Sequence, residues 1–185
     1  MKNILLIGCG HMGYSLMNAW LKSKKYSVFV VDPNQHTKLE KLKIKKKLKL
    51  KIYKKITEIN DFSNFDYMVF AVKPLDLKNI LNELATTKFK KDSIIISVIA
   101  GIKTKLFENS LKFNKQIVRV MPNMPALIGE GMNCIYANKF INLKNKNEIK
   151  KLIEFTGKSV IFDKEKYIDM ATAVSGSGPG YIFNI

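Results

Sequence analysis

The chain opens with an apolar run, Ile4-Leu5-Leu6-Ile7, that stops at glycine, the pattern of a short buried strand. Met12, Leu16, Met17, Trp20 and Leu21 then recur at helical spacing, and Lys22, Lys24 and Lys25 supply the positive charge that suits a helix C-terminus. Residues 27–31 are rich in β-formers and end at Asp32-Pro33-Asn34, a turn signal. Thr37-Lys38-Leu39-Glu40 has the form of a capping box and predicts the opening of a short helix. Strands are predicted over residues 51–53, 67–72, 93–98 and 117–120, with helices over 75–84 and 104–111 between the later ones. Two further strands, 132–136 and 159–162, flank a helix at 147–155.

Strands that alternate with helices predict a parallel sheet covered on both faces, and right-handed crossovers wind it doubly. The expectation is an α/β, Rossmann-like, doubly wound and mainly parallel sheet filling residues 1–163. Residues 164–185 differ: they begin a helical pattern, pass through a glycine-rich break and finish in an apolar stretch without a cap. They predict the start of an α-helical domain.

Composition narrows the class. Hydrophobic residues make up 46% of the 185, enough for a core. No apolar stretch reaches membrane-spanning length, and the first apolar run is too short for a signal peptide. Cys9 and Cys134 make no metal spacing. The expectation is a cytoplasmic protein with reduced thiols, no metal and no membrane partner. The net charge of +17 raises nucleic acid as a partner. Against it, Arg119 is the only arginine, and the lysines are spread along the whole chain. The dense run from Lys38 to Lys51 reads as a solvated helix face and loop, so no nucleic-acid partner is expected; a weak attraction for an anionic cofactor stays open.

The candidate chemistry starts at Gly8-Cys9-Gly10-His11-Met12-Gly13, a G-x-G-x-x-G motif directly after the first strand and at the opening of the first helix. Gly8 allows the tight turn, Gly10 lets the backbone approach a pyrophosphate, and Gly13 lets helix and strand pack closely. The helix N-terminus adds free N–H groups and a positive dipole end. Cys9 and His11 read as variable fillers of this loop. Asp32 ends the second strand, 19 residues beyond Gly13. Its carboxylate could accept from an adenosine ribose, which leans toward NADH, or could merely open the turn; Asn34 and Lys38 could still receive the extra phosphate of NADPH. Val72-Lys73-Pro74 closes another strand, where ligands of a doubly wound sheet bind. Two unusual loops follow. Met121-Pro122-Asn123-Met124-Pro125 is held rigid by its prolines, and Ser175-Gly176-Ser177-Gly178-Pro179 offers hydroxyl and N–H donors before a proline.

These motifs, with Ala100-Gly101 between them and in this order, resemble the pyrroline-5-carboxylate reductases across the whole chain. Gly180 stands where that family usually has alanine. The resemblance implies hydride transfer from NADPH or NADH to the C=N carbon of Δ1-pyrroline-5-carboxylate, giving L-proline in the last step of proline biosynthesis. It implies a cofactor site at Gly8, Cys9, Gly10, His11, Met12, Gly13, Asp32, Asn34, Val72, Lys73, Pro74, Ala100, Gly101, Met121, Pro122 and Asn123. Substrate-side candidates are Ser175, Gly176, Ser177, Gly178 and Glu165, and no residue presents itself as the proton donor. It also implies a homodimer or higher homo-oligomer built by a further helical domain, so that residues 1–185 would be a truncated and inactive fragment. The rival expectations are another Rossmann dehydrogenase of the β-hydroxyacid or prephenate type, and a dinucleotide-binding module without catalysis.

Overall fold

The structure is a computed structural model that describes residues 1–111 and 115–175, with the backbone alone of Ser175. Fourteen regular elements alternate: β1 Lys2–Ile7, α1 His11–Ser23, β2 Tyr26–Val31, α2 His36–Lys46, β3 Leu50–Tyr53, β4 Tyr67–Phe70, α3 Pro74–Leu84, β5 Ile94–Ser97, α4 Thr104–Ser110, β6 Ile117–Met121, β7 Gly131–Ala137, α5 Leu143–Ile153, β8 Gly157–Phe162 and α6 Lys166–Ser175. Short 3-10 turns lie at Ile56–Glu58, Met124–Ile128 and Glu154–Thr156. The strands form one eight-stranded sheet in the order β3-β2-β1-β4-β5-β6-β7-β8. All neighbours pair parallel except β6 and β7, which are antiparallel. The expected α/β, doubly wound, mainly parallel sheet is the observed fold.

The central strands are apolar on both faces because helices cover both. In β1 the alternation is explicit: Ile4 and Leu6 pack with Leu16, Trp20, Val28 and Leu39 on one side, while Leu5 and Ile7 pack with Phe65, Met68, Phe70 and Leu77 on the other. Trp20 is fully buried, and its indole N–H donates to the carbonyl of Leu152 at 2.9 Å, joining α1 to α5.

Two local expectations change. The helix α2 is not opened by a Thr37 capping box: its N-cap is Gln35, with no side-chain cap of its own. Asp32 instead holds the turn before α2, Oδ1 accepting from the backbone N–H of Asn34 at 2.8 Å and of Gln35 at 2.9 Å. The helix has begun by His36, so Thr37 lies inside its first turn, past the N-cap position. The Met121–Pro125 loop is likewise more regular than expected, since Met124–Ile128 winds into a 3-10 turn with a proline in its first positions. Its Asn123 side chain accepts from the N–H of Met132 at 2.8 Å.

The helix α6 is held on the sheet by charge. Arg119 of β6 is 1% exposed. Its Nη2 donates to Asp169 Oδ1 at 2.7 Å, and Nη1 lies 3.7 Å from Glu165 Oε1. Glu165 also accepts from the N–H and hydroxyl of Thr104, at 2.8 and 3.1 Å. One carboxylate therefore joins the start of α4, the middle of β6 and the approach to α6. Arg119 Nε and Nη1 have no hydrogen-bond partner among the described residues, so burying this guanidinium carries an uncompensated desolvation cost.

That cost predicts an asymmetry in urea unfolding. Arg119→Ala, which opens a cavity, is expected to lose about 3 kcal/mol. Arg119→Met, which keeps an apolar stem, is expected to stay within about 1 kcal/mol of the parent, because both carboxylates retain solvent or Thr104 as partners. A loss for Met as large as that for Ala would show that the ion pairs are net stabilising.

Candidate functional site

The strand order reverses at β1, whose neighbours β2 and β4 follow in opposite directions along the chain. A crevice outside the carboxyl ends of the strands at such a point is where open α/β sheets bind ligands. The topology gathers the candidate segments there: the glycine loop after β1, Asp32 and Asn34 after β2, Val72-Lys73-Pro74 after β4, Ala100-Gly101 after β5, and Met121-Pro122-Asn123 at the end of β6.

Within the loop the three glycines meet different surroundings. Gly8 has φ +91°, and a Cβ there would sit 2.7 Å from both the carbonyl oxygen of Ala71 and Val72 Cγ1. At Gly13 a Cβ would lie 2.3 Å from the carbonyl oxygen of Gly8. Both positions are closed by packing. At Gly10 a Cβ would meet nothing within 4 Å, and φ is −66°. Its lack of a side chain leaves open space in front of α1. That helix has Gly10 as N-cap with no side-chain cap, and no acidic residue in its first turn. Its first N–H groups and dipole end are thus available to an anion.

Around this opening, Cys9 and Met12 turn inward, while His11 is exposed. Cys9 is 3% exposed, and burial, with the Asp32 carboxylate second, pushes its thiol up to about 12; Lys38 acts in the opposite sense. A thiol so protonated is no nucleophile at neutral pH. Asp32, 7% exposed, directs Oδ2 at the N–H of Cys9 at 2.6 Å while Oδ1 takes Asn34 and Gln35. Both oxygens are engaged by the protein's own backbone, so Asp32 holds the turn, the second of the two roles expected of it. Asn34 is exposed beside it. Lys73, Pro74, Ala100 and Gly101 are exposed on the rim, Val72, Met121 and Asn123 are partly buried, and Pro122 is buried.

A cavity of about 490 Å³ opens beside the loop, lined by Cys9, Gly10 and His11 on one side and by Gln35, Lys38, Lys41 and Lys45 on the other. Leu127 closes one edge, and Ser15 Oγ, donating to the carbonyl of Ala126 at 2.7 Å, ties that 3-10 turn to α1. Sequence reasoning offered Lys38 to a phosphate but read Lys41 and Lys45 as part of a solvated face; their spacing of three and four residues on α2 was the available signal. Glu165 is engaged by Thr104 and Arg119 instead of standing free on the substrate side. The side chain of Ser175, and Gly176, Ser177 and Gly178, lie outside the described residues. Among the described residues no cluster of His, Cys, Asp or Glu could hold a metal, and no helix is long and apolar enough to cross a membrane.

Comparison with known proteins agrees with this geometry. Residues 3–101 match the family model described as NADP oxidoreductase, coenzyme F420-dependent. The pyrroline-5-carboxylate reductase of Mycobacterium tuberculosis is 36% identical over 125 residues, covering 65% of this chain and 42% of that protein. The solved pyrroline-5-carboxylate reductase of Coxiella burnetii superposes with a TM-score of 0.85 at 29% identity, covering 98% of this chain and 66% of that one. The Plasmodium falciparum pyrroline carboxylate reductase, solved with NADP bound, gives 0.78 at 28% identity over 98% of this chain and 65% of that one. The chain spans about two fifths to two thirds of the length of these relatives. It belongs to the NADP oxidoreductase family that the model describes, and it is similar to pyrroline-5-carboxylate reductases over part of their length.

Proposed function

We propose that this chain is the dinucleotide-binding part of a reductase that converts Δ1-pyrroline-5-carboxylate to L-proline, the last step of proline biosynthesis, with NADPH as the preferred cofactor. The observation that carries the reading is the open space at Gly10 in front of an uncapped α1, framed by Gly8 and Gly13, which are closed by packing. A pyrophosphate fits there and nowhere on the loop that a side chain already fills. The relatives' names supply the substrate.

In this reading Gly8, Cys9, Gly10, His11, Met12 and Gly13 wrap the pyrophosphate, and Asp32 and Asn34 form the turn beneath the adenosine. Val72, Lys73, Pro74, Ala100, Gly101, Met121, Pro122 and Asn123 border the nicotinamide. Glu165, with Ser175, Gly176, Ser177 and Gly178, belongs to the substrate side, Glu165 as a structural tie rather than a proton donor. The cofactor supplies hydride; the protein's part is to hold two rings together with water kept out. Residues 164–185 open a second, helical unit through which copies assemble; Met170 and Val174, exposed one turn apart on α6, support that assignment. The preference for NADPH rests on Asp32, whose oxygens face the backbone instead of a ribose, and on Lys38, which borders the cavity beside the loop.

Three outcomes are expected. By calorimetry, Gly10→Val should abolish NADPH binding while leaving the urea midpoint unchanged, whereas Gly13→Ala should lower the midpoint as well. Retained NADPH affinity in Gly10→Val would remove the phosphate assignment. NADPH should bind the parent more tightly than NADH, and Lys38→Gln should cost NADPH about tenfold, the worth of one charge-assisted hydrogen bond, with NADH little changed. Equal losses for both cofactors would refute the 2′-phosphate role. Finally, residues 1–163 grafted in place of the matching part of the Coxiella burnetii enzyme should give NADPH-dependent formation of proline from Δ1-pyrroline-5-carboxylate. A soluble chimera that binds NADPH without turnover would overturn the substrate assignment alone.

A further inference from the structure

The row of lysines on α2 is longer than one phosphate requires. Lys38, Lys41 and Lys45 share a helix face and line the same cavity. At 1.5 Å per residue they span about 10 Å along the helix axis. In the dinucleotide reading the pyrophosphate belongs to the N-terminus of α1 and the 2′-phosphate to Lys38. Lys41 and Lys45, one and two turns further on, then face no cofactor group. Their charge is not neutralised from within the protein either. No carboxylate lines the cavity, and among the described residues none of the three lysines has an ion-pair partner, while the neighbouring Glu40 pairs with Lys43 at 3.7 Å. The apolar part of the lining is Tyr14 on α1, Leu42 on α2 between the lysines, and Leu127 from the 3-10 turn, beside Cys9, Gly10 and His11 of the glycine loop.

We propose that this cleft between α1 and α2 is a second anion site, and that it takes a nucleoside polyphosphate. The base lies against Tyr14, Leu42 and Leu127, and the phosphate chain runs along Lys45 and Lys41 toward Lys38. Aromatic and aliphatic side chains beside a line of ammonium groups match such a ligand's two halves. Three cations within a Debye length reinforce one another toward a chain of phosphates more than toward a single one. The far end of the ligand reaches Lys38, so occupancy of the cleft opposes NADPH. The inference rests on the dinucleotide reading for the assignment of Lys38 and the glycine loop, and it makes the site responsive to nucleotide phosphates as well as to the cofactor.

The test is titration of the 185-residue chain with ATP, AMP, inorganic tripolyphosphate and NADPH by calorimetry, with three variants. ATP is expected to bind at least tenfold more tightly than AMP, and more tightly than tripolyphosphate, and to raise the apparent Kd of NADPH. The double variant Lys41→Gln/Lys45→Gln should lose ATP affinity by tenfold or more and keep NADPH within about twofold. Gly10→Val, which puts a side chain on the glycine loop bordering the same cavity, should lose NADPH. The double variant Lys46→Gln/Lys49→Gln, which removes the same charge outside the cleft lining, should leave both ligands unaffected. No ATP binding to the parent would overturn the proposal. So would equal losses for the two double variants, which would mean diffuse charge, or equal losses of ATP and NADPH in Lys41→Gln/Lys45→Gln, which would mean that ATP merely occupies the cofactor's place. ATP binding with this variant pattern in a chain that fails to bind NADPH would support the cleft and overturn the dinucleotide reading instead.

Discussion

Asp32 accepts three backbone hydrogen bonds from two segments, the N–H of Cys9 in the glycine loop and those of Asn34 and Gln35 before α2, and the carboxyl edge of the sheet takes its shape from them. The buried N–H of Cys9 would otherwise be left without a partner, at a cost of about 1–3 kcal/mol. The loop after β1 and the loop after β2 are thereby set relative to each other before any ligand arrives. Gly8 then fits against Ala71 and Val72, Gly13 against Gly8, and the first turn of α1 is left facing open space. The preorganisation that a dinucleotide site needs comes from one carboxylate that the ligand need not touch.

The fold was legible in the sequence because its signals are local. Apolar runs ended by glycine or proline mark strands, and helical spacing of Leu16, Trp20 and their neighbours marks the first covering helix. The glycine loop was legible for the same reason. What the sequence did not convey is the direction in which polar side chains point. Asp32 looks identical in sequence whether its oxygens face a ribose or the backbone. Thr37 looks like a cap, but the helix starts one residue before it, at His36. The lysines of α2 resemble every other lysine of a lysine-rich chain, and only the cavity separates Lys41 and Lys45 from Lys46 and Lys49.

Glu165 shows how a functional candidate and a structural tie can share a position. It lies where the chain leaves β8 and approaches α6, close to the substrate-side motif in sequence. Its oxygens reach Thr104 just after the β5 loop and Arg119 just before the β6 loop. Two loops of the cofactor rim and the helix leading toward Ser175 are linked through it. A carboxylate with this many fixed partners sets distances between segments.

The composition that obscured the lysines has an opposite consequence for arginine. Arg119 is the chain's only arginine, and it is shut inside the sheet beneath α6. A protease that cuts only after arginine therefore has one target peptide bond in the whole chain, inside a paired strand, and can reach it only when β6 comes away from its neighbours. The chain carries a built-in reporter of opening at the one place where the sheet, the helix that follows it and the edge of the cofactor crevice are joined.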